Sequence, residues 1–273
     1  MAGVMEAMRV GVPGGPHTFA GSAAADISAR VRPLVPVWFD RTEAMVEALH
    51  RGDIDGILLR PETTATGPGS VYRLLRGSAV QVAGEYVVPF RCLLLARPGA
   101  RTSEIKQVFG HGAVHECSRR LGELLPHATV TATERISYES ARDVAAGDGT
   151  TAVVANAHTA AELGLDVLAD NIDNGAVGVW WLLVRDAPIR GPVATVVLRT
   201  SDPTASVTAV VLALDRAGFA VRALVGERVS GAPFRYGYVL VADARSVRAW
   251  LPEGWSVPGW AVAGAVASLA EES

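Results

Sequence analysis

Short apolar runs alternate with longer amphipathic stretches along most of the chain, the pattern of strands alternating with helices. Met8–Val12 is predicted as a buried strand running into the turn cluster Pro13–Gly14–Gly15–Pro16, and Phe19–Val31 as an Ala-rich helix. Leu34–Phe39 follows as a strand, Arg41–Arg51 as a helix closed by Gly52, and Asp55–Leu59 as a third strand. The rhythm resumes with strands at Phe90–Ala96, Val108–Phe109, Thr129–Ala132, Thr151–Ala155 and Gly178–Val184, and helices at Glu116–Leu125, Ser140–Ala146 and Ala157–Leu163. Such alternation predicts an α/β fold, a parallel or mixed sheet with helices on its faces.

The rhythm changes after a segment rich in proline and glycine near residue 190. Strands are predicted at Val193–Thr200, Ala220–Glu227, Tyr236–Ala242 and Trp260–Val266, with helices at Ala205–Ala217 and Arg245–Leu251. That order, βαββαβ, is the ferredoxin-like unit. Two regions are therefore expected, residues 8–188 and 192–273.

With 273 residues, 49% hydrophobic and 19% charged, the chain can build a sizeable core, and its composition excludes disorder. A net charge of −3, with no basic run interleaved with aromatics, argues against a nucleic-acid partner. Cys92 and Cys117 have no metal-ligand spacing and are expected as reduced thiols. The apolar stretches around 175–184 and 260–270 are too short to span a bilayer, and no secretory signal is visible, so a cytoplasmic location without membrane contact is expected.

Four segments in order resemble the prephenate dehydratase family. Gly14–Gly15–Pro16–His17–Thr18–Phe19–Ala20 with Ala23–Ala24 is similar to the family's G-P-x-G-T-F-S-x-x-A-A opening, and Arg60–Pro61–Glu62–Thr63–Thr64–Ala65–Thr66–Gly67 to its P-x-E-N-S-x-x-G turn. Gly84–Glu85, Pro89–Phe90 and Gly110–His111 through Cys117 resemble the G-E, P-I and S-H-P-Q-A-L-x-Q-C elements. Ser140–Ala141 and Gly164–Leu165 fall where S-T-A and Y-G-L stand. The resemblance implies a two-lobed catalytic region, periplasmic-binding-protein-like, with its cleft between the lobes, followed by an ACT-like domain. It implies a small-molecule substrate, no cofactor and a homodimer or homotetramer.

One element departs from the family. Counted on from Ile172, the catalytic T-R-F falls at Trp180–Trp181–Leu182, where neither threonine nor arginine stands. In the dehydratase reaction that threonine helps the ring hydroxyl leave as CO2 is lost. The prephenate decarboxylases also lack T-R-F and lose CO2 while keeping the hydroxyl, and the chain resembles them in that absence. In the tail, the family's phenylalanine-binding G-A-L corresponds to Thr204–Ala205–Ser206 and E-S-R-P to Val225–Gly226–Glu227–Arg228, which points the tail toward dimer formation.

A site for a cyclohexadienyl dicarboxylate needs anion donors, a dry ring pocket and a proton source. His111, Thr64 and Ser140 are the expected catalytic residues: an imidazole suited to acid or base work and two hydroxyls. Thr18, Phe19, Arg60, Glu62, Thr63, Glu139, Trp180 and Trp181 are the expected substrate-binding residues. Arg60 supplies a forked cation for carboxylate. Glu62 and Thr63 follow a strand, where α/β sheets place ligands. Each has a plainer alternative: Thr18 and Ser140 as helix caps, Glu139 as a first-turn charge, the loop as solvated surface, and the tryptophans as core. Alternation along a strand allows only one of Trp180 and Trp181 to face a cleft. His111 and His115 lie one helical turn apart without a third ligand in register, so no metal site is expected. The expected activity is a lyase acting on prephenate or a related cyclohexadienyl carboxylate, decarboxylating it without dehydration. A dehydratase with a replacement hydroxyl and an inactive binding protein are the alternatives.

Overall fold

A computed structural model describes residues 6–63, 71–77, 80–133, 135, 137–186, 193–202, 204–228, 236–246, 249, 251 and 255–266. The first lobe comprises β1 (Met8–Pro13), α1 (Phe19–Arg30), β2 (Leu34–Phe39), α2 (Thr42–Arg51), β3 (Gly56–Thr63), α3 (Val71–Gly77) and β4 (Gln81–Pro89). The second comprises β5 (Leu93–Ala96), β6 (Gln107–Gly110), α4 (Ser118–Leu124), β7 (Thr129–Ala132), α5 (Ser137–Ala146), β8 (Thr151–Ala155), α6 (Ala157–Leu163) and β9 (Asp166–Ala169). β10 (Val177–Val184) returns to the first lobe. β11 (Thr195–Thr200), α7 (Val207–Arg216), β12 (Phe219–Arg228), β13 (Tyr236–Ala244) and β14 (Ala261–Val266) complete the chain.

The lobes repeat one plan. β1 pairs in parallel with β2 and β3, and β6 in parallel with β7 and β8. In each lobe an antiparallel strand then lies beside the third parallel strand, β10 beside β3 and β5 beside β8. The chain crosses between the lobes twice, after Pro89 and before Val177. The crossings run side by side, with Val177 paired to Pro89 and the Phe90 N–H donating to the Ala176 carbonyl at 3.1 Å. The buried Asp173 stiffens them, accepting from the N–H groups of Cys92 at 2.6 Å and Gly175 at 3.0 Å.

The C-terminal strands lie in the order β12-β13-β11-β14, the order of a ferredoxin-like unit. They continue the first lobe's sheet into nine strands because β14 meets β4, Gly264 opposite Val82. A Cβ on Gly264 would lie 2.6 Å from the Val82 carbonyl oxygen, so only glycine allows this approach. Apolar side chains from both units share one core under this sheet, among them Met45, Leu75, Trp181, Val197, Val241 and Ala263.

The predicted alternation is present, with four differences. β4, α3 and β9 were not anticipated: β4 carries Gly84 and a buried Glu85 in mid-strand, which breaks an apolar pattern, and the other two are short. α5 begins at Ser137 rather than Ser140. The expected boundary near residue 190 lies outside the described residues, and so do residues 247, 248 and 250 of the expected helix Arg245–Leu251; its described residues are not helical, and Ala249 pairs with Val193 in an isolated antiparallel bridge, a correction to the expected helix. Among the described residues no helix is long and apolar enough to cross a membrane.

Candidate active site

Parallel α/β sheets gather ligand-binding groups at the carboxyl ends of their strands. Here β1 and β3 of the first lobe and β6 and β8 of the second end at the cleft between the lobes. β10 runs antiparallel to β3, so its first residues, Gly178 opposite Thr63 and Val179 opposite Glu62, lie at this end, and Trp181 lies deeper, opposite Leu59.

Arg60 is the cation of this region. It shares a sheet face with Leu58, and its guanidinium carbon lies 5.3 Å from the ring centre of Phe90 and 5.9 Å from that of Trp180. Burial holds its pKa below the usual arginine value, and the carboxylate of Glu116 in the second lobe opposes this. The guanidinium remains charged. Gly178 makes room for it: a Cβ there would lie 2.9 Å from Trp180 Nε1 and 3.5 Å from both Arg60 Cδ and Phe90 Cζ. Phe19 packs edge-on against Phe90 at 5.5 Å and extends the apolar wall.

The two tryptophans do point to opposite faces. Trp180 joins the cluster under α1 beside Arg60, whereas Trp181 is fully buried in the other core and donates from Nε1 to Glu85 Oε2 at 2.7 Å. Trp181 is therefore a core residue, a correction to its expected substrate contact. At the cleft end of β10 stand Gly178, Val179 and Trp180, while Leu182 is buried beside Leu58. None of these side chains carries a hydroxyl or a guanidinium.

The remaining expectations fare unequally. Thr18 caps α1, its hydroxyl accepting from the Gly21 N–H at 3.0 Å and donating to the Gly15 carbonyl at 2.7 Å, so its proton is committed. His111 stands exposed at the carboxyl end of β6, where its backbone carbonyl accepts from the Val114 N–H at 2.8 Å. Ser140 is buried inside α5 rather than capping its start, because the helix begins three residues earlier. Glu139 is an exposed surface charge paired with Arg135 at 3.5 Å, a correction to its expected place in a buried site. The Glu62 and Thr63 side chains and the whole of Thr64 lie outside the described residues.

Two site-forming residues were missed. Glu116 is buried in the turn after β6, and no local pattern marks it as facing Arg60. Asn156 caps α6, accepting from the Thr159 N–H at 3.0 Å, and its Nδ2 donates across the cleft to the His17 carbonyl at 3.1 Å and Ser22 Oγ at 2.9 Å. An asparagine between a strand and a helix is legible as a cap; its partners, more than 130 positions away, are not.

Comparison with known proteins agrees with this architecture. The family model for prephenate dehydratase matches residues 10–185. The chain is 35% identical over 131 residues to arogenate dehydratase 5, chloroplastic, of Arabidopsis thaliana, covering 43% of this chain and 29% of that protein. It is 39% identical over 123 residues to a bifunctional chorismate mutase/prephenate dehydratase of Neisseria gonorrhoeae, covering 43% and 33%. The matches thus span about a third or less of these curated relatives. Among solved structures, GqqA, a novel type of quorum quenching acylase, shares the fold, with a TM-score of 0.74 at 17% identity over 95% of this chain and 98% of that one. The ordered motifs, the two-lobed sheets and the family match together place this chain in the prephenate dehydratase family.

Proposed function

We propose that the interlobe cleft binds prephenate or a related cyclohexadienyl carboxylate and removes CO2 while the ring hydroxyl stays. The observation that carries this reading is the cleft end of β10, where Gly178, Val179 and Trp180 offer no group that can protonate a leaving hydroxyl. Arg60, charged and framed by Phe90 and Trp180, is suited to anchor one substrate carboxylate, and the same rings exclude water from the other. When the C–C bond to that carboxylate breaks, its electron pair enters the diene. A proton must then reach the far end of the diene, and His111 at the carboxyl end of β6 is the acid assigned to that step.

A second reading is favoured by the names of the curated relatives, which are dehydratases. In that case a hydroxyl outside β10, such as that of Thr64, takes the missing threonine's part. Product analysis separates the two. Purified protein incubated with prephenate near neutral pH, beside an enzyme-free control, is expected to yield a product lighter by CO2 alone that keeps a non-aromatic ultraviolet spectrum. Loss of CO2 and water together, giving phenylpyruvate, supports the dehydratase, and no turnover above the control contradicts both.

A further inference from the structure

At the rim of the cleft four side chains from separate parts of the chain converge. His17 comes from the loop between β1 and α1, Tyr138 from α5, and His158 and Glu162 from α6, one turn apart on one face. Nε2 of His17 lies 3.3 Å from Glu162 Oε2, and Nε2 of His158 lies 3.7 Å from the same oxygen. One ligand atom from each of these three residues falls within 4.8 Å of the others, and among the described residues no other such trio occurs.

We propose that His17, His158 and Glu162 form a binding site for a divalent transition-metal ion of the zinc type, bridging the two lobes. Ligands at about 2.0–2.1 Å in tetrahedral geometry sit roughly 3.3–3.4 Å from one another, close to the His–Glu spacings here. Two imidazoles and one carboxylate leave the fourth position open, the pattern of sites that keep a place for water or a ligand oxygen.

The surroundings hold the ligands in this arrangement. Tyr138 donates its hydroxyl to Glu162 Oε1 at 2.7 Å, leaving Oε2 for the metal, and its ring stacks on His17 at 4.0 Å. Asn156 fixes the His17 backbone from the second lobe. Such supporting contacts orient ligands in metal sites and are felt in affinity.

An ion pair alone explains the cluster poorly. Nδ1 of His17 is buried with no hydrogen-bond partner among the described residues, and it stays unpaired whether the ring is neutral, protonated or metal-bound. A His–Glu contact whose carboxylate is exposed is worth too little to offset that cost, whereas a metal–nitrogen bond is strong enough. His17 also stands where the family's opening has glycine, directly before Thr18–Phe19. The site does not depend on the reaction proposed above.

The test uses the full-length protein without an affinity tag, stripped by a chelator and titrated with Zn2+ by calorimetry, with Co2+ as a spectroscopic probe. One equivalent is expected to bind, raise the Tm and give the visible absorption of a tetrahedral Co2+ site. His158→Gln, at an exposed position that the fold tolerates, should abolish both signals without lowering the metal-free Tm, and Tyr138→Phe should weaken binding about 10- to 100-fold. Absence of saturable binding, or binding unchanged in His158→Gln, overturns the proposal.

Discussion

Arg222 and Arg60 are both drawn into the protein, and they end in opposite surroundings. Arg222, on β12, grips the buried Glu85 with two nitrogens, at 3.2 and 2.6 Å, and Glu85 also accepts from Trp181 at 2.7 Å and Thr195 at 3.3 Å. Asp243 lies 3.5 Å from the same guanidinium, and burial raises its carboxyl pKa. That network joins β4 and β10 to the C-terminal sheet with its donors and acceptors matched. Arg60 has aromatic faces and the field of Glu116 across the cleft, but no described residue hydrogen-bonds it. The first arginine is saturated and serves architecture. The second has no hydrogen-bond partner among the described residues, which is what its proposed role as a carboxylate anchor requires.

The contrast can be broken from either side, and the largest effect is expected at the saturated end. Glu85→Ala removes the carboxylate that Arg222 grips with two nitrogens and leaves the Trp181 N–H buried without that acceptor, so unfolding by denaturant should register a loss of about 3–5 kcal/mol. Gly178→Ala comes next, since its Cβ would press on Trp180 Nε1, and a loss of about 1–3 kcal/mol is expected together with weaker substrate binding as Trp180 and Arg60 are displaced. Asn156→Ala removes a helix cap and the contact across the cleft, for about 0.5–2 kcal/mol by the same measurement. Asn156→Asp sharpens that result: it keeps the cap acceptor but loses the Nδ2 donors, so hydrogen exchange around His17 and Ser22 should rise more than in α6.

What could be read from the sequence follows the range of the forces involved. The strands β1, β2 and β8 and the helices α1 and α2 are signalled by apolar spacing, by Thr18 before α1 and by Gly52, which closes α2 in the left-handed conformation. The opposite facing of Trp180 and Trp181 follows from strand alternation alone. β4 was hidden because its central residue, Glu85, is a charge made tolerable by partners far along the chain, Trp181, Thr195 and Arg222, the last 137 positions away. Arg60 was visible as a candidate cation, but its aromatic frame depends on Phe90 and Trp180, brought together by the crossing strands. His17, His158 and Glu162 had no common signal, since the pairing of the lobes alone unites them. Glu139 was misplaced because a carboxylate in a helix's first turn reads alike whether it faces a site or solvent.

The most direct measurement of the central claim is a calorimetric titration of prephenate into the wild-type protein and into Arg60→Gln, with the Tm of each recorded. Loss of a charge-assisted hydrogen bond worth about 1.5–3 kcal/mol should lower affinity roughly 10- to 150-fold, while the Tm falls by several degrees without collapsing because the buried arginine's ring contacts contribute about 2 kcal/mol. Equal affinity for both proteins, or a loss of binding matched by collapse of the Tm, would contradict the assignment of Arg60 as the ligand's anchor.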